Sequence, residues 1–402
     1  MKAEFESVPL GSVTSPLGFE AGATSAGIKP EGILDLGMLY SQVSCAAAAL
    51  FTTNRIKAAP VVWSKRQIRR GEAQAVVVNS GCANACTGEE GLEDAAEMAR
   101  LTAQKMGLKA QEVLVASTGV IGVRLPMKEI KEGIERLTLS RDGGHKLARA
   151  IMTTDTVPKE VALSAKIGGR KFTIGGVAKG AGMINPKLAT LLCFLSTDAR
   201  VEKDFLQEAL KKAVDSSFNM VSIDGDTSPN DMVLILANGL SGVEVISGGG
   251  EAVVFEQALK EVCTSLAKRI ARDGEGATKL IEVKVQGARS LPEARRVAKA
   301  VVSSPLVKAA IHGSDPNWGR IVTALGYSGV GFEPDRVDLN IGDIFILKEG
   351  RQLPFSREEV VEALKAEEVE VGLNLNLGEA EATAWGCDLS EEYVTINSQY
   401  TT

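Results

Sequence analysis

Histidine is almost missing from this sequence: only His145 and His312 occur in 402 residues. A Ser-His or Cys-His catalytic pair would have to use one of them, and neither lies in a sequence context typical of such pairs. Any hydrolytic or transfer chemistry therefore needs a general base of another kind. A basic excess is missing too. The formal net charge of −6 argues against general nucleic-acid binding, though not against a local cationic pocket for an anionic metabolite. No apolar run is long enough to span a bilayer, and the opening MKAEFESVPLGSVTSPLGFEAG has no apolar signal core. No membrane association is expected, and the cytoplasm is the expected location. Six cysteines in a chain this long fit reduced, mostly buried thiols better than a disulfide framework. Cys82 and Cys86 lack the further ligands at suitable spacing that zinc requires, so no metal is expected.

What is present is ample core material. The chain is 45% hydrophobic and 24% charged, enough for two or three domains or one large α/β unit. No low-complexity linker or short-period repeat divides it. Residues 1–35 read as turn-rich, with GATSAGIKPEG a surface loop near a site. AQAVVVNS reads as a buried strand, and a helix follows from about Leu92 to Met106. Val113 to Ala116 reads as a strand, with Ser117, Thr118 and Gly119 as a polar turn and a helix opened by Pro126. EVALSAKI and RKFTIGG alternate as a hairpin about Gly168-Gly169. VEKDFLQEALKKAV and Ala252 to Arg272 read as helices. DMVLILA, Leu280 to Val285, VDLNIG, IFILKEG, VEVGLNLNLG and EATAWGCDLS read as strands, and the final EEYVTINSQYTT as a strand with a polar tail. Strands on both sides of Thr190, interleaved with helices, predict a layered α/β architecture.

The chain is organised around KGAGMINPKLATLLCFLSTDA, Lys179 to Ala199. A Gly-rich loop leads through Pro186 to Thr190, and the apolar run Leu191 to Leu195 follows at once as a buried strand. A hydroxyl where a loop meets a core strand is well placed for a nucleophile, and equally describes an ordinary junction. Thr118-Gly119 reads either as a plain turn or as backbone N–H groups that an oxyanion could approach, glycine permitting the contact. The acidic loop SIDGDTSPND offers Asp224, Asp226 and Ser228 to calcium, but Pro229 and Ile235 stand where the glycine and glutamate of a calcium loop belong. Neither Gly-rich loop completes a dinucleotide or Walker fingerprint.

KGAGM, NPKLAT with its apolar strand and STDA resemble the ornithine acetyltransferases (glutamate N-acetyltransferases) of arginine biosynthesis. So do NSGCANACTG, STGVIG, SIDGDTSPND, RDGEGATK, GSDPNWGR and the terminal NSQYTT, in a consistent order over nearly the whole chain. The resemblance implies a layered α-β-β-α architecture of the self-processing N-terminal-threonine-nucleophile kind. It implies cleavage between Ala189 and Thr190 into an α chain, 1–189, and a β chain, 190–402, which stay together as one compact catalytic unit and assemble as α2β2. Thr190 resembles the family nucleophile, and Thr118 and Gly119 its oxyanion hole. Thr153, Lys179, Thr190, Glu275, Asn397 and Thr402 match its substrate-contacting positions.

Chemistry supports Thr190 independently, whereas the substrate-contacting set rests on the resemblance. Cleavage would free the Thr190 α-amine, whose pKa of about 7.7–8.0 suits a general base at neutral pH and removes the need for histidine. Thr190 Oγ1 would take the acetyl group from N-acetylornithine and pass it to glutamate, by ping-pong kinetics. No cofactor is implied, and whether acetyl-CoA serves as a second acetyl donor stays open. Lys179 would meet a substrate carboxylate. Glu275 would hold a substrate ammonium or orient the Thr190 amine. Two rivals stand beside this reading: a self-processing amidase or aminopeptidase with water as acceptor, and a non-catalytic α/β binding protein.

Overall fold

The structure, a computed structural model, describes residues 5–185 and 191–399. Up to the central loop the chain forms β1 (Glu6–Ser7), β2 (Phe19–Thr24), β3 (Leu36–Phe51), α1 (Ala59–Gln67), β4 (Glu72–Cys82), α2 (Gly88–Met106), β5 (Val113–Val120), α3 (Met127–Arg136), α4 (Gly144–Ala150), β6 (Lys159–Ile167) and β7 (Arg170–Lys179). Beyond it come β8 (Leu192–Thr197), α5 (Lys203–Asp215), β9 (Val221–Ser222), β10 (Met232–Ala237), α6 (Gly249–Arg272), β11 (Leu280–Ala288) and α7 (Leu291–Val302). The last quarter holds α8 (Pro305–His312), α9 (Trp318–Gly326), β12 (Asp338–Ile341), β13 (Ile344–Lys348), β14 (Arg351–Gln352), α10 (Arg357–Leu364), β15 (Glu368–Asn374), β16 (Ala380–Cys387) and α11 (Glu391–Gln399).

The larger sheet runs β1-β6-β7-β8-β10-β3-β4-β5, with β2 also on β3. Its long strand β3 changes register between Tyr40 and Cys45; such an irregularity bends a strand. The two ends of β3 belong to different halves of the sheet. Its last residues pair with β10 and its first with β2 and β4. The halves close over one apolar interior, and the alternation of side chains shows it. Leu192 and Phe194 of β8, Leu234 of β10, Val76 and Val78 of β4 and Leu114 of β5 all share this interior. Their sequence neighbours point away from it. Cys193, Leu195, Val233 and Ile235 pack with α5 and α6, and Ala75, Val77, Val113 and Val115 with α2 and α3. The layers are therefore α-β-β-α, as expected.

Helix α6 is apolar on two sides. It packs on β6 and β7 and also on β11 and β16 of the second sheet, β14-β13-β12-β15-β11-β16-β9. Phe255 sits between the rings of Phe172, 6.0 Å away, and Phe205, 6.2 Å away. Helix α7 covers the second sheet, and no helix among the described residues is long and apolar enough to cross a membrane.

Three local expectations change. Ser117 to Gly119 are not a turn; β5 continues through them, paired in parallel with Asn79, Ser80 and Gly81 of β4. The segment after Ser390 is the helix α11 rather than a strand. Glu391 and Glu392 fill its first turn, where the helix dipole favours acids, and Ser390 Oγ accepts from Tyr393 N at 3.4 Å. Residues 19–24, expected to be irregular, are strand β2.

Candidate active site

A small cleft of about 70 Å³ opens at the ends of β5 and β7. Thr118, Gly119, Thr153, Lys179, Glu275 and Asn397 all line it, joined by Ile121, Met183 and Asn230. These six expected site residues come from segments scattered between 118 and 397. Ala189, Thr190 and Thr402 lie outside the described residues. Leu191, which follows Thr190 in sequence, is buried beside the start of β8, and its carbonyl accepts from Met232 N at 3.0 Å. Leu192 is paired with Lys179 on one side and Met232 on the other.

The Thr118-Gly119 corner is held from below. Asn230 Nδ2 donates to the carbonyls of Ala83 (2.7 Å) and Ser117 (2.8 Å), tying three distant sequence blocks together. Ser117 Oγ donates to Asn79 Oδ1 at 2.5 Å. Gly119 has φ 130°, and a Cβ there would stand 2.3 Å from the Gly81 carbonyl carbon. No other residue fits without moving the β4 backbone.

Charge is concentrated behind Thr153. Lys179 Nζ donates to Thr153 Oγ1 at 2.7 Å and lies 4.0 Å from Asp155. Asp155 accepts from Lys159 Nζ (2.6 Å), Thr153 N (3.0 Å) and Gly180 N (2.7 Å). Burial works against the Asp155 charge, yet the ammoniums of Lys179 and Lys159 pull its carboxyl down to about 2. Lys159 also reaches Asp273 at 2.5 Å, and Asp273 binds Thr156 through both its hydroxyl and its N–H. Burial lowers the Lys179 pKa, against the attraction of Asp155.

Across the cleft lining, Asn397 Nδ2 donates to Glu275 Oε2 at 2.7 Å. A Cβ on Gly182 would stand 2.4 Å from the Glu275 carboxyl, so only glycine lets the loop approach this acid. The acidic loop braces the backbone here. Asp224 accepts from the N–H groups of Met183, Ile184 and Asp226, and Asn185 donates to the Gly225 carbonyl. Asp231 is buried, and burial pushes its carboxyl well above the usual range, against the Leu191 N–H and the Thr52 side chain that face it.

The structure adds residues that were not singled out from the sequence, among them Lys29, Asp155, Lys159, Asn230 and Asp231. Asp155 and Lys159 carried one readable signal, an Asp-Lys pair four apart around Pro158 beside the threonine cluster. Lys29 sits in the loop expected near a site. Nothing local marks Asp231, which reads as the first residue of a core strand.

Fold and cleft together define a layered α/β protein whose polar site is assembled without histidine. The ArgJ family model matches residues 20–402. The arginine biosynthesis bifunctional protein ArgJ of Dehalococcoides mccartyi (strain CBDB1) is 52% identical over 405 residues, covering 100% of each chain. Its namesake from Symbiobacterium thermophilum is 53% identical over 397 residues, 98% of this chain and 99% of that one. A crystal structure of ArgJ from Bacillus halodurans matches at a TM-score of 0.50 with 46% identity, covering 51% of this chain and 97% of that chain. The chain belongs to the ArgJ family.

Proposed function

We propose that the protein transfers the acetyl group of N-acetylornithine to glutamate through an ester on Thr190, in arginine biosynthesis. The observation that carries this reading is the convergence of Thr118, Gly119, Thr153, Lys179, Glu275 and Asn397 on one cleft. It lies at the end of the sheet where β8 begins, at Leu192, two residues after Thr190 in the sequence. The precursor would first be cut between Ala189 and Thr190, leaving chains 1–189 and 190–402 associated. That the solved Bacillus halodurans relative is a chain matching about half of this one, 51%, supports two chains.

In the first half-reaction Thr190 Oγ1 attacks the acetyl carbonyl. The freed Thr190 α-amine takes the hydroxyl proton and delivers it to the leaving α-nitrogen as the C–N bond breaks, releasing ornithine. Negative charge on the carbonyl oxygen is met at the Thr118-Gly119 corner. In the second half-reaction the α-amine of glutamate attacks the ester. The new C–N bond forms, the C–O bond breaks, and a proton returns to Oγ1. Lys179 with Thr153 receives the substrate α-carboxylate, and Glu275 with Asn397 a substrate ammonium. The contact of Glu275 with Gly182, in the loop leading toward residue 190, favours a second role for this acid in orienting the Thr190 amine.

No bound cofactor is required; acetyl-CoA would enter only as an alternative donor. We assign the enzyme to the cytoplasm as an α2β2 assembly. Intact-mass analysis should find a fragment that begins at Thr190. Thr190→Ala should remain one chain near 42.4 kDa and lose acetyl transfer. A Thr190→Ala protein that still splits and still transfers acetyl overturns the assignment. Hydrolysis without glutamate-dependent transfer would favour the amidase alternative.

A further inference from the structure

Lys29 lies in the GATSAGIKPEG loop, outside the blocks that carry the family's site residues, and its position is firmly built. The Asp35 carboxylate accepts from four successive backbone amides, those of Ala26 (2.6 Å), Gly27 (3.1 Å), Ile28 (2.7 Å) and Lys29 (2.9 Å). A carboxylate so engaged organises a loop. From this loop the Lys29 side chain reaches the carbonyl of Met152 at 2.5 Å. Met152 precedes Thr153, the residue whose hydroxyl Lys179 holds on the lining of the cleft.

Two ammoniums thus serve one short loop, and they are not equally compensated. Lys179 stands near Asp155 at 4.0 Å, and Lys159 has both Asp155 and Asp273. Lys29 forms no ion pair among the described residues; Asp35 and Asp155 attract it only from a distance. Burial, then repulsion from Lys179, lowers its pKa to about 8. An ammonium donates three hydrogen bonds, and a single carbonyl takes one of them. Holding a half-buried cation beside another without a paired acid is unfavourable, unless an anion arrives between them. The charge of the cleft is also divided: cations gather behind Thr153, and Glu275 with Asn397 supplies the acid.

We propose that Lys29 determines acceptor specificity: behind Thr153 it takes the side-chain carboxylate of the acyl acceptor, while Lys179 holds the α-carboxylate. The inference rests on the acetyl-transfer reading above. In that reaction donor and acceptor share an α-carboxylate, which one cation satisfies. They differ at the side chain, which ends in an ammonium on the donor and a carboxylate on the acceptor. A second cation is useful only for the acceptor. Glu275 serves the donor, so one cleft with a wall of each sign handles both half-reactions.

The test uses the full chain with Lys29→Gln, which removes the charge but keeps an N–H donor for the Met152 carbonyl, and with Lys29→Arg, which keeps the charge. Ornithine release from N-acetylornithine in a single turnover reports the donor step. Steady-state KM with glutamate and with glutamine as acceptors reports the side-chain contact. Lys29→Gln should leave ornithine release within about twofold and raise the KM for glutamate by about tenfold or more, the scale of one charge-assisted hydrogen bond. The KM for glutamine should hardly move, so the glutamate preference collapses. Lys29→Arg should restore most of it. Equal losses with both acceptors, or slow ornithine release with unchanged preference, would make Lys29 a strut for the Thr153 loop and overturn the proposal. Unaltered kinetics would overturn it as well. If Lys29→Gln does not fold, a glutamate preference unchanged in Lys29→Met would do the same. A wild-type protein that releases no ornithine would instead strike the acetyl-transfer reading itself.

Discussion

Two hollows in this molecule invite comparison. The larger, about 930 Å³, runs along the tip of the β6–β7 hairpin and the first turn of α6, between Lys166, Lys171, Gly249 and Val253. The smaller, about 70 Å³, is the cleft at Thr118, Lys179 and Glu275. Space favours the first; chemistry favours the second. The charged pair in the large groove, Lys171 with Glu6, is exposed on both sides, and such pairs contribute little. At and behind the cleft, Lys179, Asp155 and Lys159 are buried and linked through Asp155. Burying charge is unfavourable unless the groups are paired. A site is marked by polar groups from distant segments held where water cannot screen them, rather than by volume.

Substitutions can break this contrast or sharpen it. Gly119→Ala should have the largest effect, because its Cβ would collide with the Gly81 carbonyl carbon at 2.3 Å. A fall in kcat/KM on the order of 100-fold is expected, the scale of losing one oxyanion donor; near-normal kinetics would remove Gly119 from the site. Asp155→Asn comes next, since it leaves Lys179 and Lys159 with less counter-charge and should destabilise the fold by about 3 kcal/mol at neutral pH. The Asp155 carboxyl titrates at about 2 in the folded protein, below its unfolded value of about 3.9. Its contribution is therefore complete above the unfolded value and disappears as pH falls through the folded one. Urea melts of the wild type and Asp155→Asn should converge between about pH 5 and about pH 2; a pH-independent gap would contradict the assigned charge.

Glu275→Gln should be milder, raising the donor KM about tenfold, as for one lost charged contact. If kcat falls instead in both half-reactions, Glu275 orients the threonine amine. Lys171→Ala in the large groove should be smallest, within about 0.5 kcal/mol in stability and silent in kinetics. A kinetic effect there would undo the comparison between the hollows.

Several elements could be read from local pattern. The β6–β7 hairpin followed from strict alternation around Gly168-Gly169, and β4, β8 and β10 from unbroken apolar runs. Other elements left little local trace. Strand β3, LGMLYSQVSCAAAALF, mixes serine and glutamine into its bend and runs through four successive alanines; only pairing on both sides makes it the hinge between the two sheet halves. Helix α11 has a strand-like alternation at Val394 and Ile396, but no sheet edge receives it and acids at its start favour a helix. Ser117 to Gly119 read as a turn because their residue types suit one, and their partners Asn79, Ser80 and Gly81 lie far away in sequence.

Sequence alone determined the family motifs, the α/β layering and the scarcity of histidine, because these depend on residue identity and short-range periodicity. Only the tertiary structure decided which of those residues meet. Asn230 beneath Thr118, Asp155 between two lysines, Glu275 against Gly182 and Lys29 behind Thr153 are contacts that join separate stretches of the chain. Their energies arise from burial and from pairing in a shared low-dielectric space, and a one-dimensional string does not record that space.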